Sequence, residues 1–187
     1  MTMHPKPQPL PAFDPFQDRL CRDIRNDLSE GLLTMLQRLD MEVLLPIAEG
    51  YRQRDLAPCQ RAYIDDRLTR YRAVLQEMAA AGIGQDDVYA VARLLWNQGL
   101  FFEVHEWLEH HWLTAVDPDR AIFQALIRAA GTYVHLEHGR LTGARKMAAR
   151  AVAGLTLHQG RIPPAFPVAA LIAKLTALDP QPPQITV

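Results

Sequence analysis

The sequence predicts an all-α fold: an antiparallel helical bundle with short connections and a proline-rich N-terminal arm. Apolar residues recur at three- and four-residue steps through most of the 187-residue chain, which is the period of amphipathic helices. Glycine, proline and short polar residues separate these segments, and none of them shows the alternating pattern of a strand. Because the separating segments are short, consecutive helices are expected to pack antiparallel.

Five prolines within residues 1–15 predict a flexible arm there, because proline lacks the N–H group that a helix needs. Residues 16–82 are predicted to form an N-terminal helical extension. It comprises a helix from Phe16 to about Leu39, a short helix interrupted near Pro46, and a long helix that stops at Gly82. Residues 83–180 are predicted to form a helical core, and the two sections could equally pack as one unit.

The predicted core has five helical segments. The first begins at a capping aspartate, Asp86 or Asp87, and ends near Gly99. A helix over residues 100–116 follows, then a break at "VDPD" and a helix over about 120–138. The segments "RLTGARKMAARAVAGLTLH" and "VAALIAKLTAL" complete the set.

Charge and composition argue against some classes of binding partner. The formal net charge is −1, with basic and acidic residues intermixed, so neither nucleic acid nor a membrane surface is an expected partner. No apolar run resembles a signal peptide or a membrane span, which favours a cytoplasmic location. Cys21 and Cys59 do not form a C-x-x-C pair and are predicted to be reduced thiols. A small-molecule ligand, a protein partner and self-association all stay open.

The segment "LFFEVHEWLEHHWL", residues 100–113, contains three carboxylates, three histidines and two tryptophans. At ~100° per residue, Phe101, His105, Leu108 and Trp112 share one arc of the helix, which predicts that this arc faces the core. Glu109 follows His105 by one turn, at the edge of the arc, where the two side chains can touch. Glu103 and His110 fall on the opposite, solvated side.

Three hypotheses account for His105 and Glu109. They form a buried hydrogen-bonded pair, or they are the first two ligands of a divalent metal such as zinc, manganese or iron, or the carboxylate orients His105 as a general base. A zinc protease of the H-E-x-x-H type is excluded, because Glu109 stands where the second histidine is required.

The short break at Asp117 and Pro118 predicts a helical hairpin. Counting outward from the break places Phe101 near Tyr133. His135 is the third metal ligand by residue type, although it lies roughly 9 Å beyond His105 along the hairpin. The second helix has one polar stripe and one apolar stripe, and the sequence does not decide which faces the first helix. The polar stripe contains Gln124, Arg128, Gly131 and His135.

The segments "NQGLFFEVHEWLEHHW" and "FQALIRAAGTYVHLEHGRLTGARKM" resemble domain of unknown function family 309, a family of small bacterial and archaeal helical proteins. The family signature, H-x-x-x-E-x-x-W or Y, corresponds to His105, Glu109 and Trp112, and the resemblance extends over roughly residues 93–158. It implies an all-helical fold and suggests metal binding by the signature, with no established activity. Arg128 departs from the family pattern, which has a neutral glutamine there.

These observations predict a divalent-metal-binding protein or a metal-dependent hydrolase, and they leave its substrate open. The alternative is a non-catalytic scaffold or protein-interaction module in which the same residues form a buried network. A third hypothesis is an anion held by Arg128. The predicted metal ligands are His105, Glu109 and His135, and the predicted pocket residues are Phe101, Trp112, Gln124, Arg128 and Gly131.

Overall fold

A computed structural model describes residues 12–163 and 166–185 of the chain. Within those residues the protein has eight α-helices and no strand, which confirms the predicted all-α bundle. A 3₁₀ turn, Met41–Leu44, links the first helix to the second. The helices are α1 (Arg19–Arg38), α2 (Leu45–Arg52), α3 (Pro58–Ala81), α4 (Val88–Asn97), α5 (Phe101–Trp112), α6 (Asp119–Glu137), α7 (Leu141–His158) and α8 (Val168–Ala177).

Local interactions define where these helices begin and end. The Asp18 side chain accepts a hydrogen bond from the Cys21 backbone N–H, and Asp87 accepts one from the Ala90 N–H, so each caps the helix that follows. Helix α3 ends at Gly82, whose φ of 64° lies in the left-handed region that glycine adopts without strain. Asp87 and Gly82 are boundary positions expected from the sequence, whereas the helix predicted from Phe16 begins at Arg19.

Helices α5 and α6 form the predicted hairpin. The rings of Phe101 and Tyr133 lie 5.0 Å apart between centroids, which confirms the register obtained by counting from the break. Helix α7 then packs along α6, and α8 covers part of α7. The peptide bond between Asp117 and Pro118, within the hairpin connection, is cis.

Buried apolar residues from α1 through α8 make one continuous hydrophobic core. Residues 1–11 of the predicted arm lie outside the described residues. Nearer the bundle, the Phe13 ring stacks on Tyr63 of α3 with centroids 3.7 Å apart, and Pro15 is buried. The boundaries at residues 15 and 82 stay predictions, since apolar contacts run across both.

The C-terminal segment crosses back to α4. The Trp96 indole N–H donates to the Pro183 carbonyl (2.9 Å), and the Asn97 side chain both donates to the Ile185 carbonyl (2.8 Å) and accepts from its N–H (2.9 Å). These contacts join the end of the described chain to the helix that precedes the histidine-rich α5. Among the described helices, none combines the length and the apolar character needed to cross a bilayer.

Candidate metal centre

The face that helix α5 turns to the core only partly matches the predicted one. Its buried residues are Phe101, Glu103, Val104, Trp107 and Leu108. The Trp107 indole N–H donates to the Val88 carbonyl at the start of α4 (3.0 Å). This hydrogen bond holds the Trp107 side of α5 against the core. Of the predicted inward arc, Phe101 and Leu108 are buried, but the prediction is wrong for His105 and Trp112, which lie at the half-buried edge.

His105 meets two carboxylates of its own helix at this edge. Its Nδ1 atom lies 3.2 Å from Glu106 Oε1 and 3.8 Å from Glu109 Oε2. One ligand atom from each of the three residues lies within 4.8 Å of the other two. The side chains of His105, Glu106 and Glu109 are 27%, 33% and 48% exposed. The group faces solvent and is not enclosed in the core.

One imidazole nitrogen and two carboxylate oxygens are a donor set that zinc, manganese and iron accept. Because the three side chains come from one helix, the backbone fixes their spacing, and the solvent-facing side leaves coordination positions for water or a ligand. The residues therefore fit a single divalent cation chemically. Glu106 was not among the predicted ligands, because adjacent residues of a helix are ~100° apart and do not face each other.

His135, the third ligand expected from the sequence, does not join this group. Its ring packs against Gly143 of α7, where an added Cβ would lie 2.6 Å from His135 Nδ1, and lies 5.3 Å from the Phe16 ring. Burial lowers the pKa of His135, and the Arg140 charge adds to that effect. The polar stripe of α6 that contains His135 faces α7. The structure therefore does not bring His135 together with His105 and Glu109, as the prediction required.

The five predicted pocket residues point in different directions. The Phe101 ring contacts Trp96 and Tyr133 in the core. Gly131 faces Met147 of α7, whose Cε would be 3.8 Å from an added Cβ, while Trp112 lies under the Arg120 guanidinium at 4.4 Å. They do not form the predicted pocket. The remaining two, Gln124 and Arg128, are half-buried, and in the described part of the chain Arg128 forms no ion pair with His105 or Glu109.

Residues 89–147 match the model of a family described as Domain of unknown function (DUF309). The match confirms the resemblance noted in the sequence. No curated protein and no solved structure matches the chain. Residues 89–147, called here the DUF309 segment, span most of α4, all of α5 and α6, and the start of α7. They include His105, Glu106 and Glu109.

A cleft of about 410 Å³ opens beside this group, between the DUF309 segment and α1. Glu106 contributes both to the cleft and to the group around His105. The sequence did not reveal the cleft, because its walls come from α1 and α5, which are far apart in the chain. It is lined by Arg25, Asn26, Glu30, Leu33, Phe102 and Glu106.

Glu103, also in the DUF309 segment, is fully buried at 0% exposure. The Tyr71 hydroxyl donates to Glu103 Oε1 (2.7 Å), and Arg67 Nε lies 3.1 Å from the same oxygen. Burial and the adjacent Glu103 charge raise the pKa of Tyr71. The expectation that Glu103 belongs to the solvated side is therefore wrong. One signal was available: Glu103 precedes Trp107 by one turn, so the two share a face.

Proposed function

We propose that the protein binds one divalent cation, zinc, manganese or iron, through His105, Glu106 and Glu109, and that it serves a metal-dependent hydrolysis. The supporting observation is the convergence of one imidazole nitrogen and two carboxylate oxygens within 4.8 Å at a solvent-facing edge of α5. A cation held by these residues would lower the pKa of a bound water molecule and so supply a nucleophile at neutral pH.

The contacts around His105 support the ligand role. Its ring lies parallel to the Phe102 ring, with centroids 6.4 Å apart and an interplanar angle of 2°. Its Nδ1 atom, 3.2 Å from Glu106 Oε1 and 3.8 Å from Glu109 Oε2, faces the two carboxylates, whose combined charge compensates a divalent ion. Binding requires that the His105 proton reside on Nε2, which leaves the Nδ1 lone pair free.

The same geometry disfavours the scaffold alternative for these residues. A hydrogen-bonded pair can fix how helices pack only if it is shielded from water, since exposed ion pairs contribute little to stability. Side-chain exposures of 27% for His105 and 48% for Glu109 do not meet that condition. The contacts of Glu103 with Tyr71 and Arg67 are buried and do exclude water, so these residues have the structural role instead.

Manganese titration tests the proposal. We expect isothermal titration calorimetry of tag-free, chelator-treated protein to show about one Mn²⁺ per chain, and His105→Gln to weaken the affinity by more than about tenfold. Glu106→Gln is expected to weaken it as well. His110→Gln, an exposed histidine of the same helix, is the matched control and should bind like wild type.

His135→Gln separates this ligand set from the one predicted by residue type, because His135 lies against α7. Its Mn²⁺ affinity is expected to equal that of wild type. Absence of binding of both Mn²⁺ and, in a parallel titration, Zn²⁺, or equal affinity in wild type and His105→Gln, would contradict the proposed function.

A further inference from the structure

We propose that the cleft between α1 and α5 binds the phosphoryl group of a small phosphate ester, with Arg25 holding that group beside the cation at His105, Glu106 and Glu109. This inference rests on the proposed function and names the ligand class for the same site.

Arg25 is the group that recognises the anion. Its guanidinium carbon lies 3.8 Å from the centre of the Phe102 ring, a stacked arrangement that fixes the plane of the charge. Its Nε and Nη2 donate to Asn26 Oδ1 at 3.2 and 2.9 Å. The Nη1 group makes no hydrogen bond within the described residues, and none of their carboxylates lies within 4.0 Å of the guanidinium. Arg25 is thus oriented and has no ion-pair partner among the described residues.

The cleft has room for more than a bare anion. Its volume of about 410 Å³ lies within the range of small-molecule sites. Leu33 and Phe102 supply an apolar wall for the organic part of an ester, while Glu106 borders the proposed cation. Because Glu106 lines the cleft and also belongs to the metal group, a ligand in the cleft lies beside that group.

The charges around the cleft favour a dianion that contacts both the Arg25 guanidinium and the metal ion. Glu30 and Glu106 line the cleft and repel an anion when the metal is absent, because Arg25 alone cannot offset two carboxylates. A phosphoryl group has three terminal oxygens, so it can contact the guanidinium and the cation at the same time. A carboxylate has two oxygens and one negative charge and satisfies both centres less well.

The arrangement implies coupled binding. If phosphate bridges Arg25 and the cation, Mn²⁺ must raise the affinity for phosphate by the same factor by which phosphate raises the affinity for Mn²⁺. A factor of about tenfold is expected for such coupling.

Calorimetry with inorganic phosphate tests this, with and without saturating Mn²⁺. Wild type is expected to bind phosphate about tenfold more tightly with Mn²⁺ than without it, and to bind benzoate more weakly than phosphate. Arg25→Gln should bind Mn²⁺ like wild type and lose about tenfold or more in phosphate affinity. Arg38→Gln removes an exposed arginine at the end of the same helix and should match wild type in both titrations.

Arg25→Lys is a second variant, which keeps the charge and removes the planar fork; it should give intermediate phosphate affinity. Circular dichroism verifies that each variant is folded. If Mn²⁺ binds but phosphate affinity is equal in wild type and Arg25→Gln, this inference is overturned and the proposed function stands. If benzoate binds as tightly as phosphate, the phosphoryl assignment is overturned. If neither Mn²⁺ nor Zn²⁺ binds, the proposed function and this inference both fail.

Discussion

Glu103 places a negative charge where solvent does not reach it. Moving a carboxylate out of water costs several kcal/mol, so a buried carboxylate persists only when nearby groups compensate it. Tyr71 and Arg67 of α3 provide that compensation through contacts of 2.7 and 3.1 Å to the same oxygen. The Arg67 guanidinium also lies 3.1 Å from Asp66 Oδ2. These contacts fasten α3 to the DUF309 segment.

Removing the Glu103 charge or the Tyr71 hydroxyl should lower the free energy of unfolding. Glu103→Gln leaves the buried Arg67 without its main counter-charge, and we expect the free energy of unfolding to fall by about 3–5 kcal/mol. Tyr71→Phe removes one hydrogen bond from a buried carboxylate and should cost about 1–3 kcal/mol. Urea denaturation in the presence of a chelator measures both.

Glu49→Gln, at an exposed position of α2, is the control and should change the free energy of unfolding by less than about 0.5 kcal/mol. A similarly small effect of Glu103→Gln would show that Arg67 and Glu103 are not coupled in solution.

Helices α6 and α7 approach closely because glycines remove side chains from their contact. A Cβ added at Gly154 would lie 2.8 Å from the Ala125 Cβ, and one at Gly143 would meet the His135 ring at 2.6 Å. Helical glycine is itself unfavourable compared with alanine by about 0.5–1 kcal/mol. Its presence inside α7 therefore reflects packing, not helix formation.

Two glycine-to-alanine variants separate these effects. Gly154→Ala should destabilise the protein by about 1–3 kcal/mol, because Ala125 is rigidly held and α7 must shift. Gly50→Ala, in α2, has nothing within 4 Å of the new methyl group and should stabilise by about 0.5–1 kcal/mol through helix propensity alone. Thermal denaturation followed by circular dichroism compares them; a stabilising Gly154→Ala would refute the close α6–α7 contact.

At the scale of the whole molecule, the C-terminal segment packs back against α4. Ile185 is 1% exposed, and both polar groups of its backbone bond to the Asn97 side chain. The apolar core likewise includes residues of every helix from α1 to α8. Stability of the α4–α5 region, and hence of the proposed metal centre, is therefore expected to depend on the end of the chain.

Ile185→Ala tests that dependence. Loss of a buried isoleucine should lower the free energy of unfolding by about 2 kcal/mol or more, and the tryptophan fluorescence should report the change, because Trp96 bonds to Pro183. Gln184→Ala, at the exposed neighbouring position, should leave stability within about 0.5 kcal/mol of wild type. Equal stability of the two variants would mean that the segment is not docked in solution.

Much of the fold follows from local sequence signals. The Asp87 cap, the end of α3 at Gly82 and the contact of Phe101 with Tyr133 all occur where the sequence places them. Capping, glycine conformation and a short hairpin connection act over a few residues, so a single segment contains the information they need.

The site depended on contacts between distant segments. Helical periodicity gives the angles between side chains of one helix but not which neighbours surround that helix. Helix α5 packs against α4, α6 and α1, so Glu103 is buried and His105 lies at the edge beside Glu106. Helix α6 turns His135 toward α7, and the Arg25 cleft exists only where α1 meets α5. The sequence determined the helices and the family resemblance; the packing of helices around α5 decided which side chains could act together.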